Sequence, residues 1–153
     1  MNYAIVLRLL SYILLTEGAL LLLPAIASLC YGEWFVMGVF LFTAALSALA
    51  GALFHRVKAK SQIFYMREGF VTTALCWLLI SVVGAVPFVL TGCIPNPVDA
   101  LFETVSGFTT TGASILPAVA DLPKGILFWR SFTHWVGGMG VLVFLLSLLP
   151  LTG

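Results

Sequence analysis

Two long runs without a charged side chain are the feature that most constrains the fold of this chain. Residues 34–54 and 70–95 contain no Asp, Glu, Lys, Arg or His over 21 and 26 positions. A helix that crosses the hydrocarbon core of a bilayer needs about 20 apolar residues. Two further runs, residues 3–31 and 125–151, are each interrupted by only two charged or histidine residues. The sequence therefore predicts an all-α membrane protein with four transmembrane helices.

The composition excludes most soluble classes of protein. Hydrophobic residues make up 61% of the 153 positions and charged residues only 8%, against about 25% in an average soluble domain. The formal net charge of +1 gives no basic surface for a nucleic acid. We therefore expect membrane lipid as the surrounding solvent and no nucleic-acid partner.

The cysteines do not indicate a disulfide framework or a zinc site. There are three of them, and no CxxC spacing occurs. A bridge between Cys30 and Cys93 stays open, because both would lie near one membrane surface, but small apolar side chains are the better interpretation. Residues 25–27 read as an A-x-A cleavage site, although the apolar stretch before them is far longer than a signal peptide needs.

The basic residues predict the orientation in the membrane. Four of the seven lie in the segment 55–67, namely Arg56, Lys58, Lys60 and Arg67. The long connection at 91–125 carries three acidic residues and Lys124 alone among basic ones. Cytoplasmic loops carry the excess of Lys and Arg. Both termini are therefore predicted to be cytoplasmic.

That connection contains a short helix and a polar segment. Asn96 and Pro97 suit the N-cap and the first position of a helix. A helix over 97–108 would be about 18 Å long, too short to cross a bilayer. Its surface is largely apolar, and residues 109–114 read TTTGAS. We predict a re-entrant pore helix followed by an extended filter segment.

Such a segment has the chemistry of a potassium filter. Consecutive backbone carbonyls can replace the water around a K⁺ ion. Gly112 can reach the unusual dihedral angles that this requires, and threonine hydroxyls add further oxygen ligands. The negative C-terminal end of the short helix favours a cation nearby.

Two sequence segments resemble a known family. Residues 102–114, FETVSGFTTTGAS, and residues 128–140, FWRSFTHWVGGMG, resemble the TrkH-type membrane subunit of the Trk/Ktr/HKT potassium transporters. By this resemblance residues 1–58 form an N-terminal two-helix hairpin. Residues 59–153 form the first helix–pore loop–helix repeat, with helices at about 61–92 and 124–150, a pore helix at 97–108 and a filter at 109–114.

The resemblance implies potassium uptake across the bacterial inner membrane, with no covalent reaction and no cofactor besides the transported ion. The filter backbone would comprise Thr109, Thr110, Thr111, Gly112 and Ala113, with K⁺ at the middle three of these residues. Family members with glycine at the position of Gly112 tend to pass K⁺, whereas those with serine favour Na⁺. A cytosolic TrkA-type nucleotide-binding regulatory subunit is the implied partner.

The chain departs from the family in carrying one pore repeat where the family has four. The remaining pore repeats would come from a separate chain or from self-association. A truncated or split transporter is the favoured interpretation, and a homotetramer is the alternative.

Several residues are expected to support the pore. We predict that Arg130 pairs with Glu103 and that this pair, with His134, braces the pore helix against the last helix, because an unpaired charge inside a membrane is costly. The alternative is that Arg130 extends to the outer interface. Gly137 and Gly138 are expected to allow close helix packing behind the filter.

Two other functions remain as alternatives. A non-conducting membrane assembly fragment would merely bind partner helices. An intramembrane serine hydrolase would use Ser114 and His134, but the second glycine of GxSxG and a third orienting group are missing.

Overall fold

The computed structural model describes residues 3–57 and 66–148. The helices are α1 (Tyr3–Leu20), α2 (Leu22–Cys30), α3 (Trp34–His55), α4 (Met66–Leu90), α5 (Pro97–Phe108) and α6 (Lys124–Leu148), with a 3₁₀ turn at Val119–Asp121. These described residues contain no strand, which confirms the predicted all-α class.

Three segments are long and apolar enough to cross a membrane. They are Tyr3–Cys30, Trp34–His55 and Glu68–Leu90, judged by length and composition within the described ranges. Helix α6 has 25 residues, and its role as a fourth span stays a prediction, as does the re-entrant placement of α5. The chain is thus a membrane protein with at least three candidate spans.

The first apolar run, expected as one helix, is divided at Leu21. Helix α1 ends at Leu20 and α2 begins at Leu22, although Leu21 itself keeps helical angles. Pro24 has no backbone N–H and so cannot donate to the carbonyl four residues earlier. The helix is interrupted by this missing bond, and the two pieces still form one span.

Local sequence signals place the short helix accurately. The amide of Val98 donates to Asn96 Oδ1 at 3.0 Å, and Pro97 is the first helical residue. A helix is therefore present over the predicted residues 97–108, whereas its role as a pore helix stays a prediction. Helix α4 begins at Met66, within the predicted range of 61–92. Two of the basic residues, Lys58 and Lys60, and the last five residues, 149–153, lie outside the described residues. The division into domains at 58/59 stays a prediction.

Helices α1 and α3 pack closely through small residues. The Ser47 hydroxyl donates to the Leu14 carbonyl at 2.8 Å. A side chain at Gly51 would lie 3.1 Å from the Ser11 carbonyl oxygen. Small residues let membrane helices approach each other closely, and α1 and α3 do so at these positions; the transmembrane hairpin at residues 1–58 stays a prediction.

Trp129 of α6 lies at the centre of the core. It is 1% exposed, and its indole N–H donates to the Gly84 carbonyl of α4 at 3.0 Å. Its ring packs edge-to-face with Phe40 of α3 and with Phe108 of α5, at centroid distances of 6.2 and 6.4 Å. Helices α3, α4, α5 and α6 therefore share one apolar core.

Glu33 makes a second link between these parts of the chain. Its two carboxylate oxygens accept the backbone N–H groups of Lys124 and Gly125, at 2.7 and 2.9 Å. These amides belong to the first turn of α6, where an acidic group also interacts favourably with the helix dipole. The loop between α2 and α3 thereby caps α6.

Candidate functional site

The chain unwinds where α5 ends. Thr109 and Thr110 still donate their amides to the carbonyls of Val105 and Gly107, but the segment from Thr111 to Ala118 has no helix. Thr110 has φ +58° and Gly112 has φ +75°. Left-handed angles are rare for a residue such as threonine, and they turn the backbone sharply at both positions.

Ser106 holds the turned segment against the helix. Its carbonyl accepts the Thr111 amide at 3.0 Å, and its hydroxyl donates to the Ala113 carbonyl at 2.6 Å. The Ser106 side chain is buried. The role of Ser106 was not predicted from the sequence. Its position about one turn before TTTG could have indicated that it contacts this segment.

The backbone carbonyls of the segment differ in whether they accept a hydrogen bond from the protein. The Thr109 carbonyl accepts the Thr110 hydroxyl at 2.7 Å, and the Ala113 carbonyl accepts the Ser106 hydroxyl. The carbonyls of Thr110, Thr111 and Gly112 accept no hydrogen bond from any residue that the structure describes. Three consecutive peptide oxygens thus have no donor among the described residues, and the carbonyl on either side of them accepts a hydroxyl group.

The side chains of the segment add oxygen and no charge. The hydroxyls of Thr109 and Thr111 are 2.8 Å apart, and Thr109 also donates to the Val105 carbonyl at 2.8 Å. Residues 109–115 are all exposed in the single chain and include no titratable side chain. No group of acidic, histidine or cysteine residues suited to a metal ion occurs among the described positions.

Glu103 fixes the far end of the segment. This carboxylate is 2% exposed. One of its oxygens lies 2.6 Å from Arg130 Nε, and the group also accepts the Ser114 hydroxyl at 3.0 Å and the Ile115 amide at 3.0 Å. The predicted Glu103–Arg130 pair is therefore present. Its contact with the residues after the filter was not foreseen.

His134 does not join that pair. Its Nδ1 lies 2.9 Å from the Arg130 carbonyl, one turn earlier in the same helix. The Arg130 side chain is 17% exposed and is held by Glu103, so it does not simply extend to the interface. Of the three residues expected to form the brace, Arg130 and Glu103 alone connect α5 with α6 through their side chains.

The two glycines of α6 near the candidate filter differ in how closely they are packed. A side chain at Gly137 would collide with the backbone of Phe108, the last residue of α5. At Gly138 the nearest atom to an added Cβ is Thr110 Cγ2 at 3.8 Å, which is an ordinary contact. Close approach of α6 to α5 therefore requires glycine at the first position only.

Residues needed for a serine hydrolase are not brought together. The Ser114 hydroxyl donates to Glu103, and His134 contacts a backbone carbonyl. Neither side chain hydrogen bonds to the other in the part of the chain that is described. Cys30, Cys76 and Cys93 are free thiols, so the open Cys30–Cys93 bridge does not form.

The amino-acid sequence is similar to those of known cation transport proteins. The model of the TrkH family, described as a cation transport protein, matches residues 36–153. An uncharacterized cation transporter of Methanocaldococcus jannaschii, MJ1485, is 38% identical over 138 residues, which are 90% of this chain and 29% of that protein. The Trk system potassium uptake proteins TrkH of Halomonas elongata and TrkG of Escherichia coli are 33% and 34% identical, over 100% and 85% of this chain.

The chain spans only about a third of the length of these relatives, 32% of the Halomonas protein and 27% of TrkG. The family match covers most of the chain, and it includes α5, the unwound segment and α6. The chain belongs to the TrkH family of cation transport proteins.

Proposed function

We propose that this chain forms part of the ion path of a potassium uptake protein and that the carbonyls of Thr110, Thr111 and Gly112 bind K⁺. The observation that carries the proposal is the run of three carbonyls without a donor among the described residues. A partly dehydrated K⁺ needs such oxygens in place of its water. The names of the TrkH and TrkG relatives support potassium as the ion.

The network around the segment suits a filter. Ser106 fixes one end of the free run through the Ala113 carbonyl, and Glu103 fixes Ser114 and Ile115 beyond it. Fixed oxygens need less reorganisation when an ion loses its water. Thr109 and Ala113 would then border the binding positions, since their carbonyls already accept hydroxyl groups.

We further propose that α5 is a re-entrant helix and that α6 is the fourth span. The 12 residues of α5 reach about 18 Å, which is less than the hydrocarbon thickness. The Arg56 region would face the cytoplasm together with both termini, in a bacterial inner membrane. Trp129 and the Glu33 cap hold α6 against the preceding helices.

One unwound segment supplies only part of a ring of carbonyls. The remaining pore repeats would be contributed by a separate chain or by further copies of this one, and a cytosolic TrkA-type nucleotide-binding subunit would regulate the assembly. No covalent chemistry is involved, and no cofactor is needed besides the transported K⁺. Transport is accordingly a property of the assembled protein.

Ion flux tests the proposal directly. The protein is purified with whatever chains accompany it and placed in liposomes, and uptake of Rb⁺ and Na⁺ is measured. We expect Rb⁺ to be preferred. Gly112→Ser should reduce the Rb⁺/Na⁺ ratio about tenfold or more, because serine is strained at φ +75° and a change of 1.4 kcal/mol is tenfold. Gly138→Ser serves as the control.

The outcomes separate the alternatives. An unchanged ratio in Gly112→Ser contradicts the filter assignment. Absence of Rb⁺ flux from every preparation, including those that retain accompanying chains, would favour the non-conducting assembly fragment instead.

A further inference from the structure

A cavity of about 230 Å³ lies behind the candidate filter, between α1, α4, the end of α5 and α6. Its wall includes Phe108 of α5 and Gly137 of α6, which contact each other directly. Most of the wall is aliphatic or aromatic. The one charged residue in it is Glu17 of α1.

Glu17 is buried without a partner. It is 4% exposed, and neither carboxylate oxygen has a hydrogen-bond partner among the residues that the structure describes. Thr16 has the one hydroxyl on the wall, and it already donates to the Tyr12 carbonyl at 2.8 Å. No donor on the wall reaches the carboxylate in this structure, and burial of an unpaired charge is costly, so a donor from outside the chain would stabilise it.

The remaining wall suits an organic cation better than a metal ion. Trp77, Trp129 and Phe108 contribute aromatic rings, and such rings attract ammonium groups. A metal ion such as K⁺ or Ca²⁺ requires several oxygen ligands, whereas one carboxylate is present here. An apolar cavity of about 150 Å³ is enough for benzene, so this one is large enough for a substituted aromatic ring.

We propose that the cavity binds a small protonated amine with an aromatic or aliphatic body, whose ammonium group pairs with the carboxylate of Glu17. The body of the ligand would lie against Trp77 and Trp129. This site is distinct from the candidate filter, because no residue of the segment 109–114 lines the cavity. It does not depend on the proposed function.

Binding of 2-phenylethylamine is the test, with 2-phenylethanol as a neutral analogue of nearly the same shape. The full chain in lipid nanodiscs is titrated at pH 7 while tryptophan fluorescence is followed, since Trp77 and Trp129 line the cavity. Empty nanodiscs correct for partition into lipid. The amine should bind at least about tenfold more tightly than the alcohol, because it alone completes a buried charge pair.

Two variants locate the site. Glu17→Gln should bring amine binding down to the level of the alcohol, whereas Asp121→Asn, which changes an exposed carboxylate, should leave it unchanged. Equal binding of amine and alcohol by the unaltered chain overturns the proposal, and so does full amine binding by Glu17→Gln. If that variant does not fold, the comparison of the two ligands on the unaltered chain decides alone. Because no ion flux is measured, loss of potassium transport would not affect the result.

Discussion

Glu103 is a single carboxylate that contacts α6 and the residues after the candidate filter from its position on α5. Its partners are the Arg130 side chain, the Ser114 hydroxyl and the Ile115 amide. With 2% exposure, the group is removed from water, and its charge is balanced by Arg130. Hydrogen bonds to a buried charged group are stronger than those between neutral groups, so this residue determines the position of the segment's end at Ser114 and Ile115.

Arg130→Leu should destabilise the protein by about 3 kcal/mol, because it leaves the buried Glu103 carboxylate without its cationic partner. Thermal unfolding in detergent measures the change in stability, and Rb⁺ uptake should fall with it. Lys124→Met is the matched control, since this side chain is exposed and only its backbone amide is used. Normal stability and flux in Arg130→Leu would show that the pair does not support the pore.

At the scale of the elements, the contact of α6 with α5 depends on two glycines: Gly107 of α5, where an added Cβ would overlap the Thr133 side chain, and Gly137 of α6. An added Cβ at Gly137 would overlap the backbone of Phe108, which cannot move without displacing the start of the unwound segment. Gly137→Ala should therefore cost about 3 kcal/mol, the upper part of the range for overpacking, and should reduce Rb⁺ uptake.

Gly138→Ala is the neighbouring control. Its Cβ would meet only Thr110 Cγ2 at 3.8 Å, and both substitutions raise helix propensity equally. Detergent unfolding curves of the two variants should differ clearly, with the Gly138 variant close to the unaltered protein. Similar curves for the pair would mean that the close approach of α5 and α6 is not required.

The cap on α6 comes from a different part of the chain. Glu33→Ala removes both acceptors of the Lys124 and Gly125 amides. The expected loss is about 1 kcal/mol, typical of a helix N-cap, and it should appear as a lower unfolding temperature. Asp121→Asn, an exposed change close to the same helix end, should have no comparable effect. An unaltered unfolding temperature in Glu33→Ala would exclude a stabilising cap.

At the scale of the whole molecule, local signals and distant contacts differ in how well the sequence predicts them. The start of α5 follows from Asn96 and Pro97, which act on their own neighbours. The pairing of Glu103 with Arg130 follows from the cost of an isolated charge in a membrane. In contrast, the Glu33 cap joins residues 91 positions apart, and no periodic pattern indicates which carboxylate meets which helix end.

The candidate site shows the same division. Glycine and threonine are compatible with an unwound backbone, so the sequence TTTGAS predicts such a segment. The threonine hydroxyls form local hydrogen bonds in it. The role of Ser106 and the central position of Trp129 depend on how the helices pack. Helix packing depends on the surfaces of several helices together, and the sequence of one chain does not directly specify which surfaces meet.

The arrangement in the membrane gives the last prediction. If α5 is re-entrant, the residues before and after it lie on the same side of the membrane, and the end of α3 lies on the other. Single cysteines introduced by Pro95→Cys, Asp121→Cys and Val57→Cys, in a chain without its three native cysteines, are treated with an impermeant maleimide. Positions 95 and 121 should react in intact cells, and position 57 only after permeabilisation, if the positive segment faces the cytoplasm as proposed. Reaction of 95 and 121 from opposite sides would mean that α5 crosses the whole bilayer, and then its 12 residues, at about 1.5 Å each, would have to span a locally thinned membrane.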